Sequence, residues 1–212
     1  GEPGEKVTVK FAEQSVSANA DAEGRWAVTL APLAVSEKGR TLRAAGSKSA
    51  TPVLINDVLV GEVWLASGQS NMAFKMARIA DVAAELAAAD EPLIRFLVVA
   101  EKFSLKPVRD IAGQWYVAKP DNAGTCSAVA FCFARELRAK LGVPIGLVVS
   151  AVGGTRAETW TARETIQADP KSKARIETWD KVSDAQFVEI GKAYREFQRQ
   201  RDVAGVNQVE AD

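Results

Sequence analysis

The 212-residue chain contains no histidine. That absence removes the commonest metal ligand and the usual proton acceptor of a reactive serine. Cysteine is scarce as well, with Cys126 and Cys132 the only two. Without histidine or a cysteine cluster no zinc site is expected, and no metal or other cofactor is read from the chain. If the segment between the cysteines is helical, their spacing gives about 9 Å of rise, too far for a disulfide. Both are read as small buried apolar residues, and their number does not decide the compartment.

Neither sign of charge predominates: 27 Lys and Arg balance 27 Asp and Glu. That balance gives no support for a nucleic-acid or anionic-membrane partner. No apolar run approaches the roughly 20 residues that span a bilayer. No basic-plus-apolar leader opens the chain, so any signal peptide is expected to have been removed or never present. Internal repeats and low-complexity tracts are also missing. What remains is ordinary for a soluble globular protein, with 47% apolar and 25% charged residues. The length suits one large domain or two small ones.

The first 57 residues read as β structure. Val7, Val9 and Phe11 share one face of an alternating run. After a turn-like Asp21–Gly24, the residues Trp26, Val28 and Leu30 repeat that pattern, and Thr41–Ala45 is a weaker third strand. Short, closely spaced strands point to a small β-sandwich-like module. Its first strand begins so near Gly1 that the module is expected to be truncated at its N-terminus. From Val58 the pattern changes. Val58–Ala66 reads as a strand buried on both faces, Ile79–Ala89 as a helix stopped by Asp90-Glu-Pro92, and Leu93–Val99 as a second strand. Ser127–Leu141 has helical spacing at Val129, Phe133, Leu137 and Leu141 and ends at Gly142; Pro144–Val149 is a third strand. Alternating strands and helices predict an α/β fold with a parallel three-layer sheet. Beyond Trp160 the chain turns charged and helical, with Phe187, Ile190, Tyr194 and Phe197 as one apolar stripe. That stripe is read as a packing or partner-facing surface without chemistry. The expected divisions are therefore 1–57, 58–160 and 161–212.

Ligands of open α/β sheets bind at the carboxyl ends of the strands. Two such ends carry candidate chemistry: Gly68-Gln-Ser-Asn-Met72 and Val152-Gly-Gly-Thr155. A serine on a sharp turn there exposes its hydroxyl while its own N–H faces the ligand. A second N–H from another loop would complete an oxyanion hole, and Gly153 or Gly154 suits that approach. The plainer alternative is that Ser70 or Asn71 caps the following helix and that Gly153-Gly154 is a simple turn. Met72 stands where a G-x-S-x-G elbow would place its second glycine, and no G-K-[ST] follows either cluster.

The run Gly61-Glu-Val-Trp-Leu-Ala-Ser-Gly-Gln-Ser-Asn-Met72 resembles the first signature block of the SGNH-type sialate O-acetylesterase family of carbohydrate esterases. Further blocks follow in the family's order: Leu93–Phe96, Ser127–Leu137, Gly142–Leu147 and Gly153–Trp160. Pro3–Val9 and Gly24–Trp26 are similar to the β-module that precedes the catalytic fold there, and the likeness runs from about Glu2 to Thr161. The resemblance implies an SGNH-hydrolase-like sheet, incomplete in this chain, and hydrolysis of O-acetyl esters on sugars. It makes Ser70 the nucleophile and places the N–H groups of Ser70 and of Gly153 or Gly154, with Gly154 preferred, in the oxyanion hole. Gln69 and Asn71 would hold the turn or border the substrate, and Arg156 could meet a sugar carboxylate or form a surface ion pair. Trp64 and Trp160 are read as core rather than as sugar platforms.

The family's later blocks, a Gln-Gly-Glu stretch and the Asp-x-x-His that supplies acid and base, are absent. A serine without a base is a poor nucleophile at neutral pH, and of the lysines only Lys75 stands near Ser70 in sequence. The expectation is an esterase acting with a missing segment or second polypeptide that supplies Asp and His. The alternative is a non-catalytic carbohydrate-binding or interaction protein that retains the fold. Polymeric or host-glycan substrates would place it outside the cell or in the periplasm.

Overall fold

A computed structural model describes residues 1–102, 104 and 107–203. Its contacts form two compact units: Gly1–Val63 with Leu137–Gly146, and Trp64–Glu136 with the described residues from Leu147 onward.

The first unit is built on an antiparallel four-stranded sheet of order β2-β1-β3-β4. Its strands are β1 (Lys6–Phe11), β2 (Gln14–Asn19), β3 (Ser36–Gly46) and β4 (Val53–Val60). The alternation expected in β1 holds, with Val7, Val9 and Phe11 buried on one side. The second strand does not lie at Gly24–Leu30; it is Gln14–Asn19, which pairs with β1 from Phe11↔Gln14 to Lys6↔Asn19. Side-chain bonds hold the two ends of the segment read as that strand. The Asp21 carboxylate accepts from the N–H groups of Glu23 and Arg25, making the expected turn. Farther on, the Gln14 amide both accepts from the Ala31 N–H and donates to the Ala31 carbonyl. These bonds give the backbone another way to be satisfied, and Trp26 is left partly exposed.

The second sheet has the order β5-β8-β6-β7, with β5 (Glu62–Gly68), β6 (Glu91–Val98), β7 (Trp115–Ala118) and β8 (Ile145–Ala151). It is mixed, as an α/β fold of this kind allows. The edge strand β7, which the sequence reading did not identify, runs antiparallel to β6 and stacks Tyr116 on Phe96 at 5.6 Å between ring centres. Val58–Ala66 is not one strand. It breaks at Gly61, where an added Cβ would lie 2.1 Å from the Pro144 carbonyl oxygen, the same oxygen that accepts from the Glu62 N–H. The first part serves β4 and the remainder β5. As an edge strand β5 is not buried on both faces, and Leu65 is 68% exposed.

The helices are α1 (Ser70–Ala73), α2 (Val82–Ala87), α3 (Ala128–Leu141), α4 (Arg163–Ala168), α5 (Pro170–Trp179) and α6 (Asp184–Val203). The helix expected over Ile79–Ala89 is trimmed to α2, because Asp81 takes the left-handed conformation (φ 55°) immediately before it. Helix α3 ends at Gly142 (φ 67°), as expected, but turns a different face inward. Ala128, Ala130, Phe131 and Ala134 are buried, whereas Val129, Phe133 and Leu141 are substantially exposed. The cysteines also differ from expectation: Cys126 is buried, but Cys132 lies on the exposed side of α3. The charged region after Trp160 is mainly helical over its described residues, as its composition predicts, with Phe197 and Ile190 of its apolar stripe exposed; 204–212 lie outside the described residues. Among the described residues no helix is long and apolar enough to cross a membrane.

Candidate active site

Strand β5 ends at Gly68, whose φ of 140° turns the chain out of the sheet and into α1. Gln69 is the N-cap of that helix, its side chain makes no capping bond, and Ser70 is the first helical residue. The capping alternative therefore has no support at Ser70. A serine that does cap is Ser127, which is 2% exposed and accepts from the N–H of Ala130 at the start of α3. Its hydroxyl also donates to the Met72 sulfur at 3.4 Å, anchoring the end of the GQSNM turn. Ser70 is exposed, and its hydroxyl donates to the side-chain oxygen of Gln69. An amide oxygen holds the proton's direction but is not a base. Asn71 is exposed beside it.

Strand β8 delivers the second loop. The Val152 N–H donates to the Gly68 carbonyl at 3.0 Å, tying the two strand ends together. This places Gly153 directly against the serine: a Cβ added to Gly153 would stand 3.8 Å from both Cα and Cβ of Ser70. Any larger side chain would fill the space in front of the hydroxyl. Gly154 follows with φ 78°, a conformation that favours glycine. Beyond it the loop is braced internally, since the Thr155 hydroxyl donates to the Val152 carbonyl and accepts from the Trp160 indole N–H at 2.9 Å. Trp160 is thus half-buried with its polar edge used in the loop.

The fold therefore brings Gln69, Ser70, Asn71, Gly153 and Gly154 to adjoining loops at the carboxyl ends of neighbouring strands. Arg156 lies farther along the second loop, exposed at the start of the 3₁₀ turn Ala157–Trp160. Lys75 is exposed and bridges to Ser127 through its backbone. Trp64 is not core: it is 42% exposed and meets Phe133 edge-on at 5.1 Å. Among the described residues no group of three or more His, Cys, Asp and Glu side chains is placed to hold a metal ion.

One participant escaped the sequence reading. The Tyr194 hydroxyl, on α6, donates to the Gly153 carbonyl at 2.5 Å. Its position in an apolar stripe gave only a packing signal, and no local pattern marked a partner 41 residues away. Chemically the arrangement offers an exposed hydroxyl beside the backbone of a second, glycine-containing loop.

Comparison with known proteins agrees with this architecture. A sialate O-acetylesterase of Homo sapiens is 30% identical over 202 residues, covering 86% of this chain and 38% of that protein. The corresponding protein of Mus musculus is 31% identical over 185 residues, covering 79% of this chain and 34% of its own length. The crystal structure of a carbohydrate acetylesterase from Xanthomonas citri superposes with a TM-score of 0.74 at 37% identity, covering 81% of this chain and 39% of that one. The chain thus spans between 34% and 39% of the length of these relatives. Residues 60–189 match the family described as carbohydrate esterase, sialic acid-specific acetylesterase, and the chain belongs to that family.

Proposed function

We propose that this chain carries the nucleophile half of a serine esterase that removes O-acetyl groups from sugars. The observation that carries the reading is the placement of Ser70. It is exposed at a strand end, it has no capping duty, and Gly153 lies against it without a side chain. In this reading 1–57 is an accessory β-module, 58–160 the N-terminal half of the catalytic domain, and 161–212 a helical insertion or tail. The substrate class follows the family, whose relatives are sialate and carbohydrate acetylesterases. Such glycans are met outside the cell or in the periplasm, which is the location this reading expects.

The Ser70 oxygen attacks the acetyl carbonyl while its proton passes to a base, and the carbonyl π electrons move onto oxygen. The N–H groups of Ser70 and Gly154 receive the oxyanion, with Gly153 giving close approach. Collapse breaks the ester bond, the sugar oxygen leaves with the proton, and an acetyl-enzyme remains. Water then attacks that acetyl group with the same base, releasing acetate and restoring Ser70. Gln69 and Asn71 border the acetyl group, and Arg156 is available to a sugar carboxylate.

The chain has no histidine to act as that base. The reading therefore includes a segment or partner chain that supplies Asp and His. Support comes from β5, which is an edge strand with Leu65 exposed, beside the exposed rings of Trp64 and Phe133. A strand added alongside β5 would bring its carboxyl end level with Ser70, where a base must stand. The same lack of histidine favours a second reading, a binding protein that has kept the fold and lost catalysis.

The two readings separate in one assay. Acetate release from an acetylated aryl ester and from an O-acetylated sialic acid is measured with the chain alone and with the Asp- and His-bearing segment added. The esterase reading expects turnover only in the second case and its loss in Ser70→Ala. Sugar binding without turnover in either case leaves the binding protein.

A further inference from the structure

We propose that Tyr194 is a positioning residue for the oxyanion hole, holding the Gly153–Gly154 peptide so that the Gly154 N–H faces the reacting carbonyl. The proposal rests on the esterase reading above and assigns a role to a residue beyond the family-matched segment 60–189.

The argument begins with the peptide plane. The C=O of one residue and the N–H of the next point in opposite directions across a trans peptide bond, so fixing one fixes the other. The Tyr194 hydroxyl, half-buried, donates to the Gly153 carbonyl at 2.5 Å. That bond sets the direction of the Gly154 N–H on the far side of the same plane. Two further distances orient the loop. A Cβ on Gly153 would face Ser70 at 3.8 Å, whereas a Cβ on Gly154 would lie 4.0 Å from the Tyr194 hydroxyl. The loop is therefore flanked by Ser70 at Gly153 and by the phenol at Gly154.

An external brace is needed here for a definite reason. Two successive glycines have more backbone freedom than any other pair, and an oxyanion donor works only if its direction is set before the charge develops. The Thr155 hydroxyl, itself held by the Trp160 indole, closes the turn across both glycines onto the Val152 carbonyl, and the Val152 N–H ties the start of the loop to Gly68. Those bonds close the turn but use neither group of the Gly153–Gly154 peptide itself, and the tyrosine hydroxyl takes its carbonyl. Helix α6 presents Tyr194 one turn after Ile190, beside the buried Gly191, so the phenol is carried on a regular element rather than on a loop.

The test is Tyr194→Phe, which removes one oxygen and keeps the ring. In the 212-residue chain, NMR reads the Gly153 carbonyl carbon and the Gly154 amide. Loss of the hydrogen bond is expected to move both resonances while those of the Phe131 region stay in place. In the chain supplemented with its Asp- and His-bearing segment, kcat is expected to fall roughly tenfold, about the worth of one well-aligned hydrogen bond. KM is expected to stay within about twofold, because the donor acts on the charge of the transition state. The thermal midpoint is expected to change little. Unchanged Gly153 and Gly154 resonances overturn the proposal whatever the activity. So does an unchanged kcat, or a loss confined to KM. Ser70→Ala separates the two levels of argument: full activity in that variant removes the esterase reading and the proposal's catalytic role with it. An inactive Ser70→Ala beside a fully active Tyr194→Phe removes the role of Tyr194 alone.

Discussion

Glu5 in the first unit and Ser70 in the second are both polar residues at conspicuous positions, and the fold treats them in opposite ways. Glu5 is only 1% exposed, and its carboxylate accepts from the N–H groups of Glu2, Lys48 and Ser49 and from the Ser49 hydroxyl. Ser70 is open to solvent, and among the described residues its hydroxyl engages the side chain of its neighbour Gln69. A buried carboxylate must be saturated, since leaving such a group unpaired forfeits its hydration without return. A nucleophile must keep its oxygen accessible to substrate. On the proposed esterase reading each residue is felt in a different place: Glu5 in the stability of its unit, Ser70 in chemistry.

Substitution at Ser70 tests that division most severely. On the esterase reading, in the chain supplemented with an Asp- and His-bearing segment, Ser70→Ala is expected to reduce acetate release by roughly a thousandfold or more, with a thermal midpoint near that of the parent. A midpoint that drops by many degrees would place Ser70 with Glu5 as a structural residue. The opposite extreme within the same unit is Phe131, a fully buried side chain of α3. Phe131→Ala is expected to destabilise the second unit by about 3–5 kcal/mol, read by urea denaturation. A loss under about 1 kcal/mol would show that the alanine-rich buried face of α3 does not depend on that ring.

How much of this was legible beforehand depends on what carried the information. Strands β1, β6 and β8 could be read because alternation or a continuous apolar run is a local signal, and α3 could be read from its spacing and its terminal glycine. The face that α3 buries does not follow side-chain bulk. Val129, Phe133 and Leu141 are larger than Ala128, Ala130 and Ala134, yet the small residues are the ones turned inward. Gly24–Leu30 has the alternation of a strand, but Asp21 turns the chain locally before it, and Gln14 offers Ala31 side-chain hydrogen bonds that only the folded chain brings into reach. The motif residues Ser70, Gly153 and Gly154 were visible as motifs, and their proximity required strands β5 and β8 to be neighbours. Tyr194 could not be read at all, because a phenol in an apolar stripe does not announce a carbonyl on a distant loop.

Glu5 supplies the test from the stability side. The Glu2 N–H, followed by those of Lys48 and Ser49 and the Ser49 hydroxyl, holds its carboxyl below the ordinary value of 4.5, against the opposing effect of burial. A folded-state pKa below the unfolded one stabilises above the unfolded value and is lost as pH falls through the folded value. Thermal midpoints of the first unit are therefore expected to hold from pH 7 to about pH 4.5 and to decline below it. Glu5→Gln is expected to lower the midpoint by several degrees at pH 7, because its NH₂ would face donors, and to flatten the acid decline. Some decline will persist through Asp21, whose carboxyl is also lowered, first by the Arg25 N–H, but which is exposed and screened by solvent. Parallel pH curves for parent and variant would show that the Glu5 cluster does not stabilise the unit.

The smallest expected effect concerns the two cysteines, where the same contrast of buried and open groups recurs within a few residues. Cys126 is buried, and burial pushes its thiol up to about 12, partly opposed by the Ser127 N–H. Cys132 lies on the exposed side of α3. Reaction with an alkylating reagent needs both the thiolate and access to it, so at pH 8 Cys126 lacks both requirements. Brief treatment of the native chain with iodoacetamide is expected to add a single adduct, mapped by peptide mass to Cys132, and denaturant is expected to expose the second site. Equal labelling of Cys126 in the native chain would mean that the turn before α3 opens readily. Because that turn also holds Ser127, which anchors Met72, such opening would loosen the support beneath Ser70 itself.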